Sequence, residues 1–172
     1  MKVILYAALT ANGMVAKIDG NSDWPSPEDL ESFTKISKES GCVIMGRKTF
    51  DNFNSGNMTD WPNADGLHIV LTHQNHLETK HPNIKLVKSP KEAIKSAEQA
   101  GLEEVVVCGG SQTFGIFMKE KLVDEMYLDI EPLVFGEGMS FFNAGVFESN
   151  LEFISSQMLS LQTIQLHYKV IK

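Results

Sequence analysis

A cationic, hydroxyl-bearing segment follows a short apolar run in the first third of the chain. Residues 42–45 are four consecutive apolar residues, which indicate a buried strand. Gly46 allows a sharp turn, and Arg47, Lys48 and Thr49 then stand where a helix would begin. The free N–H groups of a helix N-terminus bind anions, and the guanidinium of arginine matches phosphate. The segment therefore predicts a phosphate site, although an ordinary charged surface turn can have the same sequence.

A glycine pair follows a second apolar run later in the chain. Residues 104–108 indicate a buried strand that ends at Cys108, and Gly109, Gly110 and Ser111 come directly after it. Two glycines let a ligand approach the backbone closely, and a helix begins behind them. The spacing differs from the G-x-G-x-x-G dinucleotide fingerprint, and a glycine pair can also form an ordinary turn. The pair favours a phosphate contact only in combination with the first segment.

A carboxyl group lies on the apolar side of the first predicted helix. The pattern predicts a helix over residues 28–40, with Ser26 as its N-cap. Helical spacing places Asp29 on the same inward stripe as Leu30 and Phe33. A carboxyl group there could take part in acid–base chemistry, and an Asp also suits the first turn because of the helix dipole. Both interpretations stay open from spacing alone.

Strands that alternate with helices make up most of the remaining pattern. The predicted strands are residues 3–9, 42–45, 67–72, 84–87, 104–108 and 125–134, and the predicted helices are residues 28–40, 90–100 and 112–121. Residues 151–158 and 163–170 read as a closing hairpin. This order predicts an α/β fold with a mostly parallel central sheet flanked by helices and a C-terminal antiparallel hairpin, in a single domain over residues 1–172.

The carboxyl ends of parallel strands meet at one edge of a sheet, where ligands bind in such folds. The residues at these predicted ends are small, cationic or hydroxyl-bearing: Ala7, Ala8, Gly46, Arg47, Lys48, Thr49, Leu71, Thr72, Gly109, Gly110 and Ser111. Residues 10–23 are rich in Gly, Asn and Asp, which predicts a long binding loop or lid. Residues 51–66 read as a second polar loop, with at most a short helix after Thr49.

Composition and charge exclude several classes of function. The chain of 172 residues is 42% hydrophobic and carries a net charge of −7, which suits a soluble globular protein and disfavours a nucleic-acid partner. Its apolar runs are too short for a membrane span or a signal peptide, so we expect a cytoplasmic protein without a membrane partner. The two cysteines lie in apolar runs, and His73, His76 and His81 fall in a polar loop. We therefore expect inert core thiols, exposed imidazoles and no metal site.

Several segments, in this order, resemble the dihydrofolate reductase-like superfamily, and the resemblance covers essentially the whole chain. They are W-P-S-P-E-D-L-E-S-F (24–33), V-I-M-G-R-K-T-F (43–50), I-V-L-T (69–72), V-K-S-P-K-E-A-I (87–94) and V-V-C-G-G-S-Q-T-F (106–114). The stretch L-V-D-E-M-Y-L-D-I-E-P-L-V-F-G-E-G (122–138) and the ending Q-T-I-Q-L-H-Y-K-V (162–170) resemble one branch more closely. That branch is the reductase domain of the riboflavin-biosynthesis deaminase-reductase, the RibD C-terminal domain family.

The resemblance implies an NADPH-binding site. The cations and hydroxyls around Arg47 would bind the 2′-phosphate and the pyrophosphate side, and Thr72 and Lys88 would complete the adenosine phosphate site. The glycine-rich segment would wrap the pyrophosphate and the nicotinamide ribose, and Ala8 and Val15 would contact the carboxamide. The implied cofactor residues are Ala8, Val15, Gly46, Arg47, Lys48, Thr49, Leu71, Thr72, Lys88, Cys108, Gly109, Gly110, Ser111, Gln112 and Thr113.

The resemblance also implies a substrate pocket. Asp29 falls where dihydrofolate reductases keep their single pocket acid, and Phe33 falls where they pack the aromatic body of the substrate. Hydride transfer to a C=N-type bond needs a proton on nitrogen, which Asp29 would help to deliver, and Asp129 would project nearby and raise one of the two pKa values. The implied residues around a small heterocyclic substrate are Ala8, Trp24, Asp29, Leu30, Phe33 and Asp129.

Departures from the family pattern leave three functions open. Folate reductases grip the glutamate of their substrate with an arginine before residues 69–71, but this chain has Ala64, Asp65 and Gly66 there and its only arginine is Arg47. The first hypothesis is a riboflavin-type reductase that converts a ribosylamino-pyrimidine to its ribityl form. The second is a dihydrofolate reductase with altered substrate recognition, and the third is a nucleotide-binding module without turnover. Riboflavin-type reductases dimerise through the sheet edge, so the terminal hairpin also suggests a homodimer.

Overall fold

The computed structural model describes residues 1–56 and 61–172. The strands are β1 (Lys2–Thr10), β2 (Met14–Lys17), β3 (Cys42–Gly46), β4 (Leu67–Leu71), β5 (Ile84–Val87), β6 (Glu104–Gly109), β7 (Glu125–Glu131), β8 (Gly138–Ser140), β9 (Asn150–Met158) and β10 (Ile164–Ile171). The helices are α1 (Pro27–Ser40), α2 (Arg47–Ser55), α3 (Pro90–Gln99) and α4 (Ser111–Lys119). Eight strands form one sheet in the order β5-β4-β3-β6-β1-β7-β10-β9, and β2 and β8 form a separate ribbon.

The sheet is parallel from β5 to β7, and β10 and β9 extend it as antiparallel neighbours. The predicted fold class is thereby confirmed. The central strands are apolar on both faces because helices cover them, and Ile44, Val106 and Ile69 are fully buried. Their common direction places the carboxyl ends of β1, β3, β4, β6 and β7 together, and we call this side of the sheet the carboxyl edge.

Helix α1 begins and ends as its sequence predicts. The hydroxyl of Ser26 accepts a hydrogen bond from the backbone N–H of Asp29, and Pro27 occupies the first helical position. Gly41 ends the helix in the left-handed conformation, with φ of 73°, and its N–H donates to the carbonyl of Ser37. Asp29, buried in the first turn, therefore has a fixed position relative to the sheet.

Helices α2 and α4 begin without a side-chain cap. Their N-cap residues are Gly46 and Gly110, which lie at or directly after the end of a strand. Phe50 anchors α2 with 1% exposure, and Phe114 and Phe117 anchor α4, which confirms the inward direction predicted for the two phenylalanines of α4. Both helices start at the carboxyl edge because each follows its strand without a long loop between them.

Three predicted loops or faces differ from the structure. The loop predicted over residues 10–23 contains β2, which pairs with β8; both strands are too short to show alternation in the sequence. The loop predicted over residues 51–66 is helical to Ser55, because α2 begins at Arg47, and residues 57–60 of it lie outside the described residues. Leu30 is 53% exposed although the helical stripe predicted an inward position, since the buried face of α1 passes through Asp29, Phe33, Ser37 and Ser40.

None of the helices in the described ranges has both the length and the apolar character that a membrane crossing requires.

Candidate active site

The carboxyl ends of β3 and β6 meet in a cradle lined by glycine and threonine. A Cβ atom added to Gly46 would lie 2.5 Å from Oγ1 of Thr113, so only glycine fits there. A Cβ atom on Gly109 or Gly110 would lie 3.5 Å from Oγ1 of Thr49. The structure therefore brings together two segments that are distant in the sequence, and the backbone of Gly46 and Gly110 is only partly buried there. We call these five residues the glycine cradle.

Two helix N-termini open into the glycine cradle. The first turns of α2 and α4 carry backbone N–H groups that no capping side chain satisfies. The hydroxyl of Ser111, at the start of α4, is buried and has no hydrogen-bond partner among the described residues. A buried hydroxyl beside free N–H groups suits a ligand that offers several acceptor oxygens, as a pyrophosphate does.

Arg47 lies at the first turn of α2 and is held by neighbours that the sequence analysis did not identify. Its Nε donates to both carboxylate oxygens of Asp51, at 2.8 and 2.9 Å, and its Nη1 donates to Oε1 of Gln74. The backbone N–H of Gln74 in turn donates to Oγ1 of Thr72 at 3.1 Å. The chain of contacts places the guanidinium next to the end of β4, close to the predicted adenosine phosphate residue Thr72.

The other predicted cofactor residues fall into three groups. Lys48, Lys88 and Gln112 are exposed, so their side chains are free to turn toward a ligand. Ala8, Val15 and Leu71 are partly buried at or near the carboxyl edge. Cys108 lies inside β6, and burial raises the pKa of its thiol to about 12, which agrees with an inert thiol.

A buried acid pair forms the second half of the site. Asp29 comes from α1 and Asp129 from β7, and Asp129 is the strand neighbour of Ala8 in β1. The phenol of Tyr6 lies between them: its oxygen is 2.6 Å from Oδ2 of Asp129 and 3.2 Å from Oδ1 of Asp29. Gln165 of β10 donates to Oδ1 of Asp129 at 2.8 Å. The structure thus brings the two predicted acids together.

Burial raises the pKa values of the whole acid pair. The pKa of Asp29 rises to about 8, first because burial disfavours its charged form and then because the charge of Asp129 repels a second charge. Burial also raises the pKa of Asp129, while hydrogen bonds from Tyr6 and Gln165 oppose that rise. Burial followed by the two carboxylates raises the pKa of Tyr6, so its phenol remains a donor. Because both carboxyl groups contact the same phenol, they titrate as a coupled pair rather than independently.

Glu131 fixes the position of α1 against the sheet. Its Oε1 accepts from the backbone N–H and the hydroxyl of Ser26, at 2.9 and 2.7 Å, and its Oε2 accepts from Thr163 at 2.8 Å. These bonds tie the N-cap of α1 to the end of β7 and the start of β10. The position of Asp29 in the first turn of α1 depends on this anchor.

The predicted substrate residues surround the acid pair unevenly. The ring of Phe33 lies 5.0 Å from the ring of Tyr6, which places it beside the pair. Trp24 packs edge-on against Phe135, with 5.5 Å between the rings, and its indole N–H has no partner among the described residues. Leu30 points outward on α1, so it would contact a substrate only if the substrate approached from the solvent side of the helix.

The loop before α1 reaches across to α2 and borders a polar cavity that is open to solvent. The side-chain amide of Asn52 lies 3.5 Å from the hydroxyl of Ser22. The cavity is lined by Asp19, Gly20, Asn21, Ser22, Asp23, Asn52 and Ser55. The loop forms one wall of this cavity, and its role as a binding loop or lid stays a prediction. A groove around Asp124 and Glu125 lies at the start of β7, away from the carboxyl edge, and its charges pair with neighbouring lysines.

The histidine prediction is wrong for one residue. His81 is buried, with its ring 4.5 Å from that of Trp61 and 4.4 Å from that of the buried His68. The polar composition around residue 81 concealed this packing. Within residues 1–56 and 61–172, no group of three or more His, Cys, Asp or Glu residues is arranged to bind a metal ion.

Sequence reasoning missed Tyr6 and Gln165. Tyr6 lies within an apolar strand, where its ring looked like ordinary core, and Gln165 lies in a hairpin that seemed remote from the cleft. The signal for Gln165 was strand alternation, because Thr163, Gln165 and His167 share one face of the hairpin strand. Without the strand order, neither residue can be matched to Asp129 from the sequence.

Comparison with known proteins places the chain in a family. The family model described as the RibD C-terminal domain matches residues 1–165. YwjB of Bacillus subtilis, an uncharacterized protein, is 26% identical over 172 residues, which cover 97% of each chain. A Caenorhabditis elegans protein provisionally named as a dihydrofolate reductase is 28% identical over 137 residues, covering 74% of this chain and 70% of that protein.

Solved structures show the same architecture. The crystal structure of a Shewanella protein provisionally assigned to riboflavin biosynthesis superposes with a TM-score of 0.82. It is 23% identical, and the match covers 100% of both chains. At this identity the likeness supports the fold, and the chemistry rests on the residues described above.

Proposed function

The chain belongs to the RibD C-terminal domain family, and from this we propose that it is an NADPH-dependent reductase of the riboflavin-biosynthesis type. Membership of this reductase family implies an oxidoreductase. The proposed reaction reduces a C=N-type bond in a planar heterocycle, such as a ribosylamino-pyrimidine. The observation that carries the proposal is the presence of the glycine cradle and the buried acid pair at the same carboxyl edge.

The cofactor half of the proposal rests on the fit between the cradle and a dinucleotide. NADPH, when bound, supplies the hydride. The free N–H groups of α2 and α4 and the hydroxyl of Ser111 would bind its pyrophosphate. Arg47 would bind the 2′-phosphate, because its planar fork matches phosphate oxygens and Gln74 links it to Thr72.

The acid pair would supply the proton. Asp29 has a pKa raised to about 8 by burial, so its carboxyl group is protonated at neutral pH and can donate to a nitrogen of the substrate. Donation breaks the O–H bond of Asp29 and leaves both carboxyl groups charged, and Asp29 then regains a proton from water. Because like charges at close range repel, the pair with both carboxyl groups ionised is unstable. Asp29 therefore regains its proton readily.

A dihydrofolate substrate is the second candidate. A carboxyl group beside the rings of Tyr6 and Phe33 favours a flat pteridine as well as a pyrimidine. The sequence from Thr49 to Thr79 contains no lysine or arginine, so no permanently charged side chain there could bind a glutamate tail. This absence in the sequence makes a folate substrate the less favoured of the two.

Binding and turnover separate the candidates. NADPH binding would be monitored through fluorescence energy transfer from tryptophan to the nicotinamide. Oxidation of NADPH would then be measured with the ribosylamino-pyrimidine phosphate and with dihydrofolate. Turnover of the pyrimidine supports the first candidate, turnover of dihydrofolate supports the second, and binding without turnover of either indicates a nucleotide-binding module. Failure to bind NADPH would overturn the proposal.

Replacing the only arginine tests the phosphate role. We expect Arg47→Ala to weaken NADPH about 10- to 100-fold, because a charged hydrogen bond contributes about 1.5–3 kcal/mol, and to change NADH much less. Titration of both nucleotides measures the ratio. Lys169→Ala removes an equal charge from the terminal hairpin, away from the carboxyl edge, and should alter neither affinity. Equal losses for NADPH and NADH in Arg47→Ala would contradict the assignment.

A further inference from the structure

Gln165 is a buried polar residue whose amide group contacts the acid pair. It is 3% exposed, on the strand β10 next to β7. Its Nε2 donates to Oδ1 of Asp129 and to Oγ of Ser32, both at 2.8 Å, and its Oε1 accepts from Nε2 of Gln157 at 2.7 Å. Both amide hydrogens and the amide oxygen are therefore engaged.

The amide of Gln165 has one favourable orientation. If the group were flipped, its oxygen would face the carboxylate of Asp129 and its NH₂ would face the NH₂ of Gln157. Both contacts would be repulsive, because each would join two acceptors or two donors. An amide does not titrate, so Gln165 presents an N–H group to Asp129 for as long as that carboxyl group is ionised.

The two carboxyl groups receive unequal hydrogen bonding. Asp129 accepts from Gln165 and, at 2.6 Å, from the single hydroxyl hydrogen of Tyr6. Asp29 lies 3.2 Å from the same hydroxyl, which has only one hydrogen to share. Hydrogen bonds to the charged form of a carboxyl group favour that form. The charge of the pair is therefore drawn to Asp129.

We propose that Gln165 is a positioning residue that keeps Asp129 ionised and so leaves the shared proton on Asp29. The inference rests on the proposed function, in which Asp29 donates that proton to the substrate. Asp29 lies in the first turn of α1 and is 7% exposed, whereas Asp129 lies within the sheet and is 0% exposed. The donor amide on β10 thus sets which of two acids can serve the cleft.

The protonation state can be measured without cofactor or substrate. Carbon-13 NMR of the side-chain carboxyl groups of Asp29 and Asp129, followed across a pH titration of the ligand-free protein, reports each group separately. We expect Asp129 to be ionised and Asp29 protonated at neutral pH. In Gln165→Leu we expect Asp129 to titrate at higher pH than in the wild type. Gln162→Leu removes the same side chain from the exposed hairpin turn and should leave both titrations unchanged.

Two results would overturn the inference. One is a wild-type protein in which Asp129 is protonated and Asp29 ionised at neutral pH, and this result is accessible even if Gln165→Leu does not fold. The other is a folded Gln165→Leu variant whose Asp129 titrates as in the wild type. In a protein that turns over, we also expect kcat to fall about tenfold in Gln165→Leu with unchanged affinity for NADPH. The NMR titration requires no turnover and tests this inference alone. The proposed function is tested by NADPH binding and oxidation, so the two can fail independently.

Discussion

Tyr6 shows why single residues of this site escaped the sequence pattern. It stands in a run of apolar residues in β1, and its ring packs against Phe33 as a core residue does. Only its hydroxyl takes part in the polar cluster, where it lies between two carboxyl groups. Asp29 was identifiable because its charge breaks an apolar stripe, whereas a tyrosine breaks no pattern. Identification of Tyr6 required knowing which residue faces it across the cleft.

Asp29 should give the protein a specific dependence of stability on pH. Its pKa is about 8 in the folded state and near its ordinary value of 3.8 in the unfolded chain, so the folded state binds more protons between these values. Stability from this group is complete at low pH and is lost as the pH rises through about 8. An asparagine side chain at this position would mimic the neutral carboxyl group and avoid that loss.

The variant Asp29→Asn tests this dependence. We expect its Tm to rise relative to the wild type as the pH increases from about 5 to about 9, by about 2–4 °C for each kcal/mol recovered. Differential scanning calorimetry at several pH values measures the difference. Asp23→Asn, which changes an exposed carboxyl group, serves as the control. A Tm difference that is the same at every pH would contradict the raised pKa.

Gly46 should tolerate no side chain. Alanine would place its Cβ 2.5 Å from Oγ1 of the buried Thr113, and we expect Gly46→Ala to cost about 1–3 kcal/mol of folding free energy and to weaken NADPH. Thermal unfolding and nucleotide titration measure the two effects. Gly136→Ala, at a position with no described atom within 4 Å, should change stability by less than about 0.5 kcal/mol. If Thr113→Ala fails to restore stability in the double variant, the clash is not the cause.

At the scale of elements, long and regular segments were predictable from the sequence. The helix α1 was predicted with its N-cap, and strands β3 and β6 were predicted from their apolar runs alone. The ribbon of β2 and β8 was not predicted, because its strands have four and three residues and lie far apart in the sequence. The start of α2 at Arg47 and a short helix after Thr49 were expected, but the end of the helix at Ser55 was not, since its only buried residue is Phe50.

A cluster of buried rings beside β4 should make this part of the fold sensitive to acid. His68 is fully buried, and burial followed by the neighbouring His81 lowers its pKa to about 4. Burial also lowers the pKa of His81, against the opposing charge of Asp65. The unfolded state therefore binds more protons below about 6.5, so stability is lost as the pH falls from there toward 4.

The variant His68→Leu should unfold at lower pH than the wild type. Leucine keeps an apolar contact with Trp61, whose ring lies 4.8 Å from that of His68, and it cannot be protonated. Tryptophan fluorescence during acid titration reports the transition, because Trp61 contacts both histidines. His73→Leu, at an exposed loop position, provides the comparison. An unchanged acid midpoint in His68→Leu would show that other groups control acid unfolding.

At the scale of the whole molecule, the sheet ends in an exposed strand. Every residue of β9 is exposed, including Phe153 at 58% and Ile154 at 46%. An edge strand of nine residues offers free backbone donors and acceptors to another strand. The apolar side chains and the free edge favour a second copy of this chain as the partner, in keeping with the homodimer suggested by the sequence.

We therefore expect a dimer in solution that depends on β9. Phe153→Glu should give a monomer, because two added charges would meet without a partner across a symmetric contact. Light scattering after size-exclusion chromatography measures the mass. Val146→Glu adds the same charge at a loop residue that is 97% exposed and should leave the mass unchanged. A wild-type protein that is monomeric at micromolar concentrations would contradict the expectation.

The acid pair is assembled from widely separated parts of the chain. Tyr6 and Asp129 are 123 positions apart, and Asp29 and Gln165 come from two further elements. A sheet in which β1, β7, β10 or the packed α1 has not yet joined lacks one of these contributors and would leave the carboxyl groups in water, with ordinary titration. During refolding, the return of an abnormal Asp29 titration would therefore mark the moment at which the first, seventh and last strands have all joined. The cluster that we propose for proton delivery would therefore also report when this part of the sheet has assembled.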